Sequence, residues 1–342
     1  MKAKIFATIK FIGLAACIML GMVSIIGTGG GGGGGGGSST SYTQDTLEGI
    51  WFTENRYFFI DDMGGLIDIE PISTELIHDF SGTFSVENKN VTGTVYLDHT
   101  PTGGVRNWHD INYSGLFANT NEIDMDWDVP GAETGTENWR RVFPLQDPDF
   151  LVPGLSLSAN LSGTVTVDGT VYNASATFNL QTKNIVFLPA FDVNTIPVDI
   201  LLTIDIPQIP LAFSILTTTY YNADSQDKEP VFMESDDGTT AIPTELNLLP
   251  DFGQIGDFGK VTSWEYSDGD IYTGTWSLEP STTGFAKFVE IGKMYDFQNN
   301  LISTATETMK IDGMGYIVWV EYKENYFEDG VNVIIKLSGN IN

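Results

Sequence analysis

Short runs of β-forming residues, separated by turn residues, constrain the fold of this chain more than any other feature. Threonine, valine, isoleucine, tyrosine and phenylalanine dominate these runs, and no long stretch shows the 3.6-residue apolar period of a helix. A small polar residue, a glycine, a threonine and a β-former follow one another at 81–84, 92–95, 162–165 and 273–276. This pattern predicts an all-β, antiparallel protein.

Asp-Gly pairs predict turns between these runs. Asp168-Gly169 separates two threonine- and valine-rich segments, and Asp-Gly supplies the positive φ angles that a tight hairpin requires. We expect the same at 268–269, 312–313 and 329–330. The best helix candidate is the short segment 73–80, with Ser73 or Thr74 as its N-cap.

A proline-rich segment divides the strand-forming part of the chain into two units. Pro144, Pro148 and Pro153 cluster where the β pattern lapses. We therefore expect an N-terminal β domain at 45–145 and a C-terminal β domain at 146–342, each a sandwich or a barrel-like unit. A loop- and glycine-rich zone near 240–260 leaves open a further division of the second domain.

The first 44 residues read as an export leader and a tether. Lys2, Lys4 and Lys10 precede an apolar run at 11–26, and nine consecutive glycines occupy 29–37. Residues 1–28 fit a cleaved signal peptide, a lipoprotein signal or an uncleaved anchor. The lipoprotein alternative rests on Cys17, the only cysteine, which follows Leu-Ala-Ala as in a lipobox and would be the lipidation site. Residues 29–44 form a Gly/Ser-rich tether, because polyglycine has no side chain to bury.

Charge and cysteine content exclude several classes of function. The chain has 45 acidic and 16 basic residues, and the leader holds three of the lysines and no acid. Such an acidic protein is not expected to bind nucleic acid, and it would meet a membrane only through its leader or a lipid. With no cysteine after the leader, no disulfide framework or zinc–thiolate site can form. We expect an exported bacterial protein of the periplasm, the outer membrane or the cell surface.

The segment at 122–129 alternates acidic and apolar residues throughout. In a strand, its acids share one face and its apolar residues the other. Asp124, Asp126 and Asp128 also match the start of a calcium loop, which makes them the candidate metal ligands. However, Val129 stands where such a loop needs glycine, and Gly135 where it needs glutamate. The acidic loop at 224–237 is a second place where calcium could bind, and no other cofactor is predicted.

No catalytic motif is recognisable. The three histidines, His78, His99 and His109, have no close metal-ligand spacing, and no Gly-x-Ser-x-Gly elbow occurs. Carboxylate pairs for glycoside cleavage meet only in space, so sequence cannot identify them. The apolar run at 196–216 is interpreted as core strands joined by a proline kink; the alternative is the wall of a ligand groove with Asp199 and Asp205 at its rim.

Gly49-x-Trp51 opens the first predicted strand, and Gly274-x-Trp276 repeats the spacing. The first of these resembles the Gly-x-Trp opening of lipocalins, whose barrels hold apolar ligands. The resemblance covers three residues, and we assign no family from it. We interpret both tryptophans as core anchors.

Three functions are compatible with this sequence. The first is a non-enzymatic cell-envelope binding module for an apolar small molecule, a lipid, a glycan or an envelope protein. The second is a structural or adhesive surface protein with calcium-stabilised acidic loops. The third is a secreted, carboxylate-dependent hydrolase.

Overall fold

The computed structural model describes residues 42–341 except 54–55, 72–75, 102–103, 146–150, 209–210, 226, 283 and 329. It also leaves the side chains of 68–71, 76, 211–213 and 328 undescribed. The export leader, Cys17 and the polyglycine run therefore lie outside the described residues. Within the described part of the chain, no helix is long and apolar enough to cross a membrane.

The first unit is a closed barrel of eight antiparallel strands preceded by one helical turn. Each strand pairs with the next along the chain, and β1 pairs with β8 through Ile50 and Val142 to close the barrel. This up-and-down closure removes both sheet edges. The elements are α1 (Gln44–Leu47), β1 (Gly49–Thr53), β2 (Arg56–Ile60), β3 (Gly65–Pro71), β4 (Leu76–Glu87), β5 (Asn90–Thr100), β6 (Asn107–Asn119), β7 (Glu122–Val129) and β8 (Glu133–Pro144).

The second unit is a closed barrel of twelve antiparallel strands, which β10 and β12 close by pairing. Two further short strands lie outside the closed ring: β11 pairs with β12, and β16 pairs with β8 of the first barrel. The elements are β9 (Ser156–Val167), β10 (Thr170–Thr182), β11 (Val186–Leu188), β12 (Val193–Ile206), β13 (Leu211–Asn222), β14 (Pro230–Ser235), β15 (Thr240–Glu245), β16 (Phe252–Gly253), β17 (Phe258–Tyr266), β18 (Ile271–Pro280), β19 (Phe285–Tyr295), β20 (Leu301–Asp312), β21 (Ile317–Glu328) and β22 (Val331–Asn340).

The all-β, antiparallel prediction is confirmed, and the hairpin at Asp168-Gly169 is present. These two residues have φ angles of 47° and 83°, as the tight turn between β9 and β10 requires. The helix predicted at 73–80 is wrong over 76–80, because Leu76 begins the twelve-residue strand β4 and pairing with β5 determines the conformation there. The proposed caps, Ser73 and Thr74, lie outside the described residues.

The recurring Gly-Thr pattern marks places where a strand has no room for a side chain. A Cβ on Gly93 would overlap the Phe84 ring, and one on Gly163 would overlap the main-chain carbonyl of Lys336 on the neighbouring strand β22. Glycine in strands often marks such close approaches. The repeat is therefore explained by barrel packing.

Each barrel has its own apolar core. In the first, Trp51, Phe58 and Trp139 are among the buried residues; in the second, one continuous cluster joins residues from all twelve barrel strands. The β12 part of the apolar run at 196–216 belongs to this second cluster, since the alternate residues from Ile196 to Ile206 are all buried. The core interpretation is confirmed for this part; residues 209–210 and the side chains of 211–213 lie outside the described residues.

Candidate functional site

The first barrel encloses a cavity of about 260 Å³ among its described residues. The cavity lies toward the barrel end at which β1 ends, β2 begins, β5 ends and β8 begins. Its wall combines aromatic and aliphatic side chains with polar ones, and the two kinds contribute about equally to the exposed lining surface. Its lining consists of Thr53, Arg56, Phe58, Leu66, Phe80, Val95, Leu97, His99, His109, Ile111, Tyr113, Trp127, Val129, Glu133, Glu137 and Trp139.

Strand alternation determines which side chains reach this cavity. On β5 the lining residues are Val95, Leu97 and His99, and on β8 they are Glu133, Glu137 and Trp139, all in a two-residue period. Polar residues thus occupy positions in phase with the apolar face of their strands. Because this face points into the barrel, an arginine or glutamate there is directed inward.

The opposite end of the barrel is closed by the N-terminal turn and a buried arginine. The indole N–H of Trp51 donates to the carbonyl of Leu47 in α1 at 2.7 Å, and the Arg141 guanidinium lies 4.5 Å from the Trp51 ring centroid. Arg141 also donates to the carbonyls of Thr46 and Glu48. Burial lowers the pKa of Arg141 to about 10, so the residue stays charged at neutral pH. Gly49-x-Trp51 therefore anchors the closed end, away from the cavity.

A carboxylate, a phenol and an indole form a polar group on the cavity wall. The Trp139 indole N–H donates to Glu137 Oε1 at 2.6 Å, and the Tyr113 hydroxyl donates to the same carboxylate. Burial raises the pKa of Tyr113, the Glu137 charge raises it further, and the charge of Arg56 acts in the opposite direction. Arg56 and Glu137 thus both lie close enough to Tyr113 to influence its ionisation.

Arg56 brings a positive charge to the same cavity. Its guanidinium carbon lies 3.9 Å from the centroid of the Phe80 ring, a cation–π contact. Its Nη1 atom is fully buried and has no hydrogen-bond partner among the described residues. A buried, unsatisfied donor of this kind is rare in folded proteins and calls for an acceptor.

Two histidines lie together on the cavity wall, although 10 positions separate them in the chain. The rings of His99 and His109 are 5.7 Å apart, and His109 Nε2 is 2.9 Å from the Asn107 amide nitrogen. Behind them, on the outer face, Arg106 pairs with Asp98 at 2.5 Å. The hydrogen bond from Arg106 holds the pKa of Asp98 below its usual value.

The predicted metal ligands lie on the other side of the barrel wall from the cavity. Asp124, Asp126 and Asp128 are exposed on the outer face of β7, while Ile123, Met125 and Val129 are buried. Alternate side chains along a strand stand about 7 Å apart, so the strand alone does not gather these carboxylates around one ion. In the part of the chain that the structure describes, no three His, Cys, Asp or Glu side chains are grouped to hold a metal. Calcium binding by this chain stays a prediction.

The second barrel contains a different polar group, composed of three buried glutamates. Glu290 on β19 lies directly opposite Glu307 on β20, and Glu324 lies on the next strand, β21. Tyr272 donates to Glu290 at 2.8 Å, whereas neither carboxylate oxygen of Glu307 has a partner among the described residues. Burial raises the pKa of Glu290 to about 7 and raises that of Glu307 well above its usual value. Glu290 and Glu307 are 0% exposed, so this pair cannot touch a substrate in the folded barrel.

No protein-family model matches the chain, and no curated protein is similar to it in sequence. The site must therefore be interpreted from its own geometry. The site lies in a closed up-and-down barrel of eight strands. A barrel of this size encloses either packed side chains or one small ligand, as in lipocalins.

Proposed function

We propose that this chain is an exported cell-envelope protein whose first barrel binds a small, largely apolar molecule without chemically changing it. The cavity carries this proposal. Small-molecule sites are concave, mostly apolar and provided with a few placed polar groups, and they span roughly 300–1,000 Å³. The cavity of about 260 Å³ lies just below this size range, and its concave wall combines aromatic and aliphatic surface with an equal share of polar surface.

The rigidity of the wall also supports ligand binding. Trp139 contacts Phe58 and Phe84 edge to face, with ring centroids 4.8 and 5.0 Å apart. A fixed aromatic wall loses little conformational entropy when a ligand arrives. Export rests on the leader sequence, whose positive residues and apolar run are typical of secreted or lipid-anchored bacterial proteins.

Native mass spectrometry of the gently purified protein tests the proposal. We expect extra mass that is lost on unfolding and that a cavity-filling Leu97→Trp variant does not carry. Tyr96→Trp is the matched control, because Tyr96 is the neighbouring residue on β5 and points outward. A protein that carries no ligand, and binds none of a broad panel of small apolar molecules, would contradict the proposal. Mass that disappears only with EDTA would favour the calcium-stabilised alternative.

A further inference from the structure

We propose that the ligand of the first barrel carries a carboxylate, which Arg56 binds inside the cavity. This inference rests on the proposed function and names the chemical class of the ligand. It depends on the position of Arg56 and on which of the neighbouring polar groups already have hydrogen-bond partners.

The position of Arg56 follows from the phase of β2. Phe58 and Ile60 are buried inside the barrel, and Arg56 precedes them with the same two-residue period. The side chain therefore enters the barrel beside Phe80. The residue as a whole is half-buried, but Nη1 is shielded from solvent and lacks an acceptor among the described side chains.

The carboxylate of Glu137 is already held by two other donors. Trp139 and Tyr113 both donate to it, and these are neutral groups with fixed positions on β8 and β6. These two hydrogen bonds hold the Glu137 carboxylate in the cavity wall. The Arg56 Nη1 atom, in contrast, has no acceptor among the described residues, and a buried donor without a partner destabilises the folded protein.

A carboxylate is the group that best satisfies this arginine. The planar guanidinium can donate two parallel hydrogen bonds to the two carboxylate oxygens, and such charge-assisted pairs are stronger than neutral ones. A neutral amide would offer one weaker acceptor, and an ammonium group would offer Arg56 none, although Glu133 and Glu137 also line the cavity. Since Phe58, Phe80, Leu97 and Trp127 line the remaining space, the rest of the ligand should be an aromatic ring or a short hydrocarbon chain.

Three probes with one skeleton and different charge test this inference: 3-phenylpropionate, 3-phenylpropionamide and 3-phenylpropylammonium. Calorimetric titration of the purified protein should show the acid binding at least about tenfold more tightly than the amide, as expected for a charge-assisted hydrogen bond in a shielded site. The ammonium offers Arg56 no acceptor and should bind more weakly than the acid.

Arginine variants then assign the preference to Arg56. We expect Arg56→Gln to reduce the acid-to-amide ratio to near one, and Arg56→Lys to retain part of it. Arg106→Gln is the matched control, because Arg106 lies near the same barrel end but pairs with Asp98 on the outside. Circular dichroism and urea unfolding verify that each variant is folded.

The outcomes separate the inference from the proposed function. If the three probes bind equally well, or the ammonium binds best, the cavity binds small molecules but the carboxylate inference is wrong. If Arg56→Gln keeps the acid preference, another group recognises the carboxylate and Arg56 does not. If none of the three probes binds, the carboxylate inference is wrong for this cavity; the proposed binding function is contradicted only if the broad panel and native mass spectrometry also reveal no ligand.

Discussion

Replacing Glu307 by glutamine should stabilise the second barrel at neutral and alkaline pH while changing little at pH 5. Glu307 faces Glu290 directly across β19 and β20, and both are 0% exposed. Both oxygens of Glu307, and Oε2 of Glu290, lack hydrogen-bond partners among the described residues. A proton on one carboxyl would create the missing hydrogen bond to the other, so we expect the folded pair to retain at least one proton at pH 7.

The sign of the pH dependence follows from these raised pKa values. Near pH 4 the glutamates are protonated in both the folded and the unfolded chain, so they contribute no pH dependence. As the pH rises above 4.5, the unfolded chain loses these protons first, and the free energy of unfolding falls until the folded pKa is passed. For Glu290, whose pKa rises from 4.5 to about 7, this corresponds to a loss of roughly 3 kcal/mol.

The expected size of the Glu307→Gln effect comes from the same relation. One proton retained by the folded state lowers stability by about 1.4 kcal/mol per pH unit. Removing that proton's group should therefore make the variant roughly 2–3 kcal/mol more stable than the wild type at pH 7, relative to pH 5. The glutamine amide also donates to Glu290, which keeps that carboxylate partnered.

Urea unfolding followed by tryptophan fluorescence at pH 5, 6, 7 and 8 measures this difference. Trp264 and Trp276 are buried in the second barrel and report its unfolding. Glu279→Gln is the control, because Glu279 lies exposed on β18 of the same barrel and its replacement removes the same formal charge. If Glu307→Gln destabilises the protein equally at pH 5 and pH 8, the two carboxyls do not share a retained proton and the reasoning is refuted.

Three further substitutions test the packing of the barrels, each measured as a change in the free energy of unfolding by urea. Arg141→Met should lower the free energy of unfolding by roughly 3–5 kcal/mol, since two buried carbonyls of the N-terminal turn lose a charged donor. Arg140→Met, at the exposed neighbouring position, should change it little. Equal effects of the two substitutions would contradict this role of Arg141. Gly163→Ala should cost about 1–3 kcal/mol or more, because its Cβ would overlap the Lys336 carbonyl. Gly169→Ala has open space around it and should cost only about 1–2 kcal/mol for its φ of 83°; a larger loss than for Gly163→Ala would show that turn conformation outweighs close packing here.

The fold class was predictable from sequence because the evidence for it is local. Alternation along each strand and the Asp168-Gly169 turn require no knowledge of distant residues. Barrel closure was not predictable, since it depends on pairing between β1 and β8 and between β10 and β12, which are distant or interrupted in the chain. The residues 76–80 show the converse, because a weak local helix preference lost to pairing with β5.

The cavity residues were not predicted from the sequence, although their phase along the strands could have identified some of them. The predicted metal ligands Asp124, Asp126 and Asp128 are out of phase with the apolar side of β7 and so face outward. Glu137 is in phase with buried Trp139, and Arg56 is in phase with buried Phe58, so strand parity alone points both into the barrel. The meeting of His99 and His109 needed the pairing of β5 with β6 and could not be read from either strand.

Polar residues in phase with an apolar face have different consequences in the two barrels. In the second barrel, Glu290 and Glu307 face each other among buried apolar side chains, and we expect a retained proton to link them. In the first barrel, Arg56 faces a cavity in which the nearby carboxylate of Glu137 already has two donors. The same sequence pattern thus leads us to expect a proton-sharing pair in the second barrel, and to propose a binding site where a cavity lies beside an unpartnered charge. The presence of that cavity, which only the fold determines, is the reason for proposing ligand recognition by Arg56 and a structural role for the carboxyl pair.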